Sequence, residues 1–153
     1  QLIHGHVHDP GAAMLGGVCG HAGVFSNAND LSKIMQMYLN KGEYGGERYI
    51  SDSVIDNFTK CTYCPINHRG IAFDKVGIYR SMGPVCRCAS ASSYGHTGFT
   101  GAIAWVDPEI NLIYIFISNR VHPDADNVKI NKMEVRQSIQ QTIYKAIEIP
   151  NFF

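Results

Sequence analysis

At 153 residues, 45% hydrophobic and 17% charged, the chain can bury one core but has no room for two full domains. Thirteen basic residues balance thirteen acidic ones and no Lys/Arg run exceeds two, so no nucleic-acid or membrane-surface footprint is expected, and a small-molecule or partner site is favoured. The longest apolar stretch, Leu112 to Ile117, is far shorter than the roughly twenty residues that span a bilayer, so no transmembrane segment is expected.

The first residues, Gln1-Leu2-Ile3, carry no initiator Met and no basic-then-apolar signal pattern, so further sequence upstream is expected. Residues 1–27 read as loop, because Gly5, Gly11, Gly16, Gly17, Gly20 and Gly23 break every periodic pattern. From Ala28 the positions Leu31, Ile34, Met35, Tyr38 and Leu39 follow i, i+3, i+4, i+7, i+8, which predicts a helix. Asn27 with Asp30 supplies its cap and Gly42 its stop. A shorter helix follows Ser51 as N-cap, with Val54, Ile55 and Phe58 on one face.

Residues 60–93 read as irregular chain around short strands such as Gly70-Ile71-Ala72-Phe73. The apolar runs 102–106 and 112–118 flank Asp107-Pro108-Glu109-Ile110-Asn111, a turn, so they predict an antiparallel hairpin. A closing helix is predicted from about Val128 to Ile147. Its apolar stripe is Val135, Ile139, Ile143, Ala146 and Ile147, and Pro150 forbids continuation.

Ahead of the hairpin, Tyr94-Gly95-His96-Thr97-Gly98-Phe99-Thr100-Gly101 places a polar triplet on a strand hemmed by glycines. Glycine lets a substrate approach closely, while the Thr hydroxyl and exposed N–H groups can bind a carboxylate or an oxyanion. Taken bare, the triplet is more often a glycine-rich strand start with an exposed His. It resembles, however, the Lys/His-Thr-Gly box of serine β-lactamases, penicillin-binding proteins and their esterase relatives, with His96 in place of the commoner Lys.

Two further stretches resemble the same family in the same order. One is Leu15-Gly16-Gly17-Val18-Cys19-Gly20-His21-Ala22-Gly23-Val24-Phe25-Ser26 with Ala28-x-Asp30-Leu31. The other is Trp105-Val106-Asp107-Pro108 leading to Ile117-Ser118-Asn119-Arg120. Val7-His8-Asp9-Pro10 before a Gly-rich loop is similar to the hydrolase module fused behind family-3 glycosidases in bacterial envelope proteins.

The resemblance, to the class C type within that family, implies a Ser in Ser-x-x-Lys that attacks an acyl carbonyl, with Lys and Tyr shuttling protons. None of Lys33, Lys41, Lys60, Lys75, Lys129, Lys132 and Lys145 has Ser three positions before it. Tyr-x-Asn/Ser occurs at Tyr38-Leu39-Asn40, Tyr49-Ile50-Ser51 and Tyr79-Arg80-Ser81, but the pattern is loose and none is assigned a role. By family order both missing motifs belong upstream of Gln1, so the chain is expected to be the C-terminal part, residues 1–153, of a larger hydrolase domain and inactive alone. The resemblance further implies that His96 and Thr97 face the substrate across Gly98 and that the main-chain N–H of Phe99 is an oxyanion donor. A neutral imidazole is a poorer anion partner than an ammonium, which shifts the expectation from β-lactam binding toward esterase or peptidase activity.

The remaining His and Cys residues allow other readings. His4-x-His6-x-His8-Asp9 alternates as metal-binding strands do, yet surface histidines are the preferred reading. His21, between glycines, is read as a structural group hydrogen-bonded within its loop near the cleft, and not as a base. Cys61/Cys64 and Cys86/Cys88 could hold a structural zinc if the loop folds back, form disulfides, with cross-pairing more natural than closing Cys86 on Cys88, or stay as free thiols. No cofactor is expected for catalysis.

The fold expected is α+β: an antiparallel sheet with a packed C-terminal helix, a fragment of the β-lactamase/transpeptidase-like fold. The function expected is part of a bacterial, extracytoplasmic serine acyl-transfer hydrolase acting on a small-molecule or peptide substrate. Its partner would be the missing N-terminal region, without which the chain would self-associate. The alternative is a non-catalytic binding or structural module on the same scaffold, held by the four-Cys zinc or disulfide cluster.

Overall fold

The computed structural model describes residues 3–62, 64, 67–77 and 83–147. The predicted stop at Pro150 and the Tyr79-Arg80-Ser81 motif lie outside the described residues.

The glycine-rich beginning is not all loop. Helix α1, Pro10–Met14, starts where Asp9 accepts the Ala12 N–H at 2.7 Å and Pro10 presets the first turn. Helix α2, Ala28–Leu39, follows the predicted cap: Asn27 Oδ1 accepts the Asp30 N–H at 3.0 Å, and Asn27 Nδ2 donates to Asp30 Oδ2 at 2.7 Å. It ends at Leu39, and the chain turns away through Lys41 at φ +56° and Gly42 at φ +94°, the latter accessible to glycine at little cost. A two-residue hairpin, β1 (Glu43–Tyr44) with β2 (Glu47–Arg48), leads to α3, Asp52–Thr59. Of the predicted apolar face of α3 only Ile55 is buried, because Val54 and Phe58 remain 41% exposed.

One four-stranded antiparallel sheet organises the rest, in the order β3 (Asp74–Lys75), β4 (Tyr94–Thr97), β5 (Ile103–Asp107), β6 (Leu112–Phe116). The predicted strand at Gly70–Phe73 begins later, at Asp74. Ile71 N–H is spent on Phe58 O at the end of α3 (2.8 Å) and Ala72 has φ +62°, so this segment cannot extend along the sheet. The predicted hairpin is present, with Asn111 at φ +52° in its turn.

Both faces of the sheet are covered. Met35 and the half-buried Tyr38 and Leu39 of α2 pack on Tyr94, Val106, Ile113 and Ile115. On the other face Ile103, Trp105 and Tyr114 pack with Val85, Cys86, Ala89 and Tyr144. Two helices therefore sandwich an antiparallel sheet, the α+β arrangement expected.

The closing helix departs from expectation. It is two helices, α4 (Lys129–Lys132) and α5 (Val135–Ala146), separated by Glu134 at φ +48°. The corner is tied by Arg136 Nη2, which donates to Asn131 Oδ1 at 2.8 Å, and by Tyr114 OH, which donates to Arg136 O at 3.0 Å. The buried face of α5 is not the apolar stripe: Arg136, Gln140 and Tyr144 face inward, while Ile139 and Ile147 stay 39% and 46% exposed. The reason is the irregular chain at 83–90 beneath the helix. Its buried backbone groups need partners, and Gln140 Oε1 supplies one by accepting the Cys86 N–H at 2.8 Å.

Candidate active site

The His96-Thr97 half of β4 is an uncovered strand edge. On one side β4 pairs along its length with β5, Tyr94 opposite Val106 through Thr97 opposite Ile103. On the other, β3 reaches only Tyr94 and Gly95. Gly98 N–H is spent on Ala102 O at 2.8 Å, so strand alternation turns the Thr97 N–H to the uncovered edge.

The turn that follows is held from the far side of the hairpin. Gly101 N–H donates to Gly98 O (2.9 Å), Arg120 N–H and the Ser118 hydroxyl both reach Thr100 O (2.9 and 3.1 Å), and Arg120 Nε donates to Phe99 O at 2.9 Å. The Arg120 guanidinium also lies 4.7 Å from the Phe99 ring centroid, and His8 stacks on that ring at 5.3 Å. No hydrogen bond engages the Phe99 N–H or the Thr97 hydroxyl among the described residues.

Thr97 lines a cleft of ≈ 520 Å³ together with His68, Asp74, Lys75, Arg136 and Gln137. His96, Gly98 and Phe99 stand outside that lining. His96 is exposed at the rim, its Nδ1 2.7 Å from Thr97 O. Arg69 and Asp74 neutralise each other at 3.1 Å. Arg136 has no carboxylate partner among the described residues. Only 8% exposed, it holds Gly101 O (3.3 Å) and Asn131 Oδ1 through its terminal nitrogens. His68 Nδ1, Arg136 Nε and Gln137 Oε1 are buried with no hydrogen-bond partner among the described residues, and all three residues line this cleft.

Sequence reading missed Arg136 and Lys75. The signal for Arg136 was the spacing 136, 140, 144, a polar i, i+4, i+8 face beside the apolar stripe. Lys75 is 6% exposed and donates to Ser92 O at 2.6 Å. Burial pushes its ammonium down to about 8, against the pull of the Asp107 carboxylate. The unfolded chain therefore holds more protons than the folded one between pH about 8 and 10.5, and Lys75 makes stability rise with pH across that window. Urea unfolding between pH about 7.5 and 9.5 should show this slope flattened in Lys75→Met. Equal slopes in the two proteins would remove Lys75 as its source.

The four paired cysteines take the disulfide alternative, in neighbouring pairs. Cys61 is bonded to Cys64 and Cys86 to Cys88, so neither zinc coordination nor cross-pairing is formed. Sulfur already bonded to sulfur offers no thiolate to a metal. Among the described residues no group of three or more His, Cys, Asp or Glu side chains is arranged to hold a metal ion. His4, His6 and His8 do not converge on one, and Asp9 is taken up by the cap of α1 and by His21. His21 is hydrogen-bonded as expected, and to two side chains: Nε2 lies 2.9 Å from Asp9 Oδ1 and Nδ1 lies 2.9 Å from Cys19 Sγ.

A beta-lactamase family profile matches residues 3–137. A protein of Salmonella enteritidis named as a D-alanyl-D-alanine carboxypeptidase is 37% identical over 134 residues, which is 86% of this chain and 30% of that protein. The protein of the same name from Salmonella paratyphi B is 36% identical over 133 residues, with the same coverage. The chain thus spans 30% of the length of these relatives. The crystal structure of a beta-lactamase from Mycobacterium bovis superposes with a TM-score of 0.65 at 18% identity, covering 84% of this chain and 47% of that one, which is a likeness of fold. No helix among the described residues is long and apolar enough to cross a membrane.

Proposed function

The chain belongs to the beta-lactamase family, and on that premise we propose that it forms the His-Thr-Gly wall and one oxyanion donor of a serine acyl-transfer hydrolase. Its nucleophile lies outside these 153 residues, since no Ser-x-x-Lys occurs among them. The observation that carries the reading is the uncovered His96-Thr97 edge of β4 beside a cleft that holds a buried arginine with no carboxylate partner among the described residues.

In this reading a serine oxygen attacks the substrate carbonyl, and the Phe99 N–H receives the negative charge that develops on the carbonyl oxygen. The carbonyl re-forms as the amine or alcohol leaves, and water then releases the acyl group. Thr97 and Arg136 hold a substrate carboxylate, which answers the loss of the family's usual Lys at His96: the cation comes from α5 instead. Carboxylate-terminated peptides of the D-alanyl-D-alanine kind are the substrate class that suits both the cleft and the relatives' name, and such chemistry belongs outside the cytoplasm. Nothing observed favours the non-catalytic alternative.

The complementary surface comes from the rest of the protein. Met14, Val18, Val24 and Phe25 are each at least 68% exposed along the segment that reaches the site through His8. Left uncovered, this surface favours self-association.

The test has two arms. The 153 residues alone should not turn over a chromogenic cephalosporin or a D-alanyl-D-alanine peptide above a denatured control. In a longer protein carrying Ser-x-x-Lys, His96→Ala and Thr97→Ala should each lower kcat/KM by up to about 10²-fold, and Phe99→Leu far less, because its main chain is the donor. Full activity in both alanine variants, with collapse on changing His4, His6 or His8, would establish a metal hydrolase instead.

A further inference from the structure

The turn that carries Phe99 is closed by its own backbone and gripped from outside by one residue. Gly98 O accepts the Gly101 N–H at 2.9 Å, which makes Phe99 and Thr100 the two central residues of the turn. The trans peptide directs the Phe99 N–H opposite to the Gly98 carbonyl, so that N–H points out of the turn. The closing bond leaves the next peptide, whose carbonyl is Phe99 O, untied. Arg120 ties it. Its Nε donates to Phe99 O at 2.9 Å, its main-chain N–H donates to Thr100 O at 2.9 Å, and no other hydrogen bond among the described residues engages Phe99 O.

The guanidinium is itself fixed from behind, where Nη1 donates to Ala125 O at 3.0 Å and to Asn127 O at 2.8 Å. One planar fork is thus locked on three carbonyls, and none of these partners is a carboxylate. Taking the Phe99 N–H as the oxyanion donor of the hydrolase proposed above, a premise on which this role rests, we infer that Arg120 is a positioning residue. It fixes the turn, and through the turn the direction of that N–H, without touching substrate. A bond from a charged donor is roughly twice as strong as a neutral one, so the clamp outlasts a bond of the turn's own backbone.

The need for a clamp follows from the turn's setting. An oxyanion donor must meet the developing charge at about 2.7–3.1 Å. Phe99 is 61% exposed between glycines, and a displacement of about 1 Å at a reacting centre can cost about 10²-fold in rate. The Ser118 hydroxyl also reaches Thr100 O, at 3.1 Å, but leaves Phe99 O alone. Ser118 therefore serves as the comparison.

The experiment sets the longer protein carrying Ser-x-x-Lys against its Arg120→Ala variant, on a D-alanyl-D-alanine peptide and on phenylboronic acid. The serine oxygen adds to boron and leaves a boron-bound oxygen where the oxyanion forms, and this probe has no carboxylate. In Arg120→Ala, kcat should fall about 10²-fold and the boronate inhibition constant should rise by a similar factor, with KM kept within about threefold. Ser118→Ala should lose less than about threefold in kcat. Far-UV circular dichroism checks folding. Should Arg120→Ala not fold, Arg120→Lys decides: it keeps the charge and the main-chain N–H but not the planar fork, and should lose about tenfold in kcat at constant KM. A raised KM with boronate affinity unchanged would make Arg120 a direct ligand of the substrate carboxylate. Equal losses in KM and boronate affinity would make it a structural tie. Either result, or full kcat in the variant, overturns the positioning role and leaves the hydrolase reading in place. If the unaltered longer protein neither cleaves the peptide nor binds the boronate, the hydrolase reading itself falls, and this role with it.

Discussion

Replacing Asp107 by alanine is expected to lower the unfolding free energy by roughly 3–5 kcal/mol. The carboxylate is 1% exposed and accepts four hydrogen bonds: from Ser90 N–H (2.9 Å), the Ser90 hydroxyl (2.5 Å), the Tyr144 hydroxyl (2.5 Å) and Glu109 N–H (3.2 Å). It joins the end of β5, the 83–90 segment and α5. Removing it leaves donors buried without an acceptor, and a bond to a charged group is worth about 1.5–3 kcal/mol. Tyr144→Phe removes one of the four and should cost about 1–2 kcal/mol. In the double variant the losses should fall short of additive, since Tyr144 then has nothing left to lose. Urea unfolding of the four proteins reads this directly. A loss under about 1 kcal/mol in Asp107→Ala would mean that water or a neighbour satisfies these donors.

Gly95→Ala should be damaging for a steric reason. A Cβ at Gly95 would stand 2.2 Å from Ala104 O, 2.6 Å from Trp105 Cε3 and 2.8 Å from Trp105 Cα. Two of these atoms are backbone of the paired strand β5, so relief requires parting β4 from β5 at the residue before His96. Overpacking typically costs 1–3 kcal/mol, and more where backbone must move, which for a chain of this size lowers Tm by about 10 °C. Gly98→Ala is the control. The nearest atom to its Cβ, Ala102 Cβ, is 3.6 Å away, so folding should be nearly unchanged. Thermal melts of the two variants that coincide would show that the β4–β5 spacing is looser than this geometry requires.

Local signals fixed what local physics controls. Asn27 and Asp30 start α2 because a side-chain acceptor three residues before a free N–H is a local contact. The 103–107/112–116 hairpin formed because a short Pro and Asn turn brings the apolar runs on either side of it back against each other. The His-Thr-Gly triplet was legible as a motif for the same reason. One missed element had a local cause and the other was decided by distant partners. Helix α1 grew from an Asp-Pro pair that the surrounding glycines obscured. The closing helix broke at Glu134 because Arg136 and Tyr114 pin the corner.

The sequence by itself determined the α+β class, the family, the hairpin and the triplet at its head. Only the tertiary structure decided that Thr97 faces a cleft shared with Lys75 and Arg136, and that Asp107 anchors α5. It alone decided that the cysteines close in neighbouring pairs while Cys19 meets His21 and Asp9. Arg136 lies 35 residues from Gly101 and Asp107 lies 37 from Tyr144. Contacts of that separation leave no period in the sequence. They exist because buried polar groups must find partners wherever packing brings them.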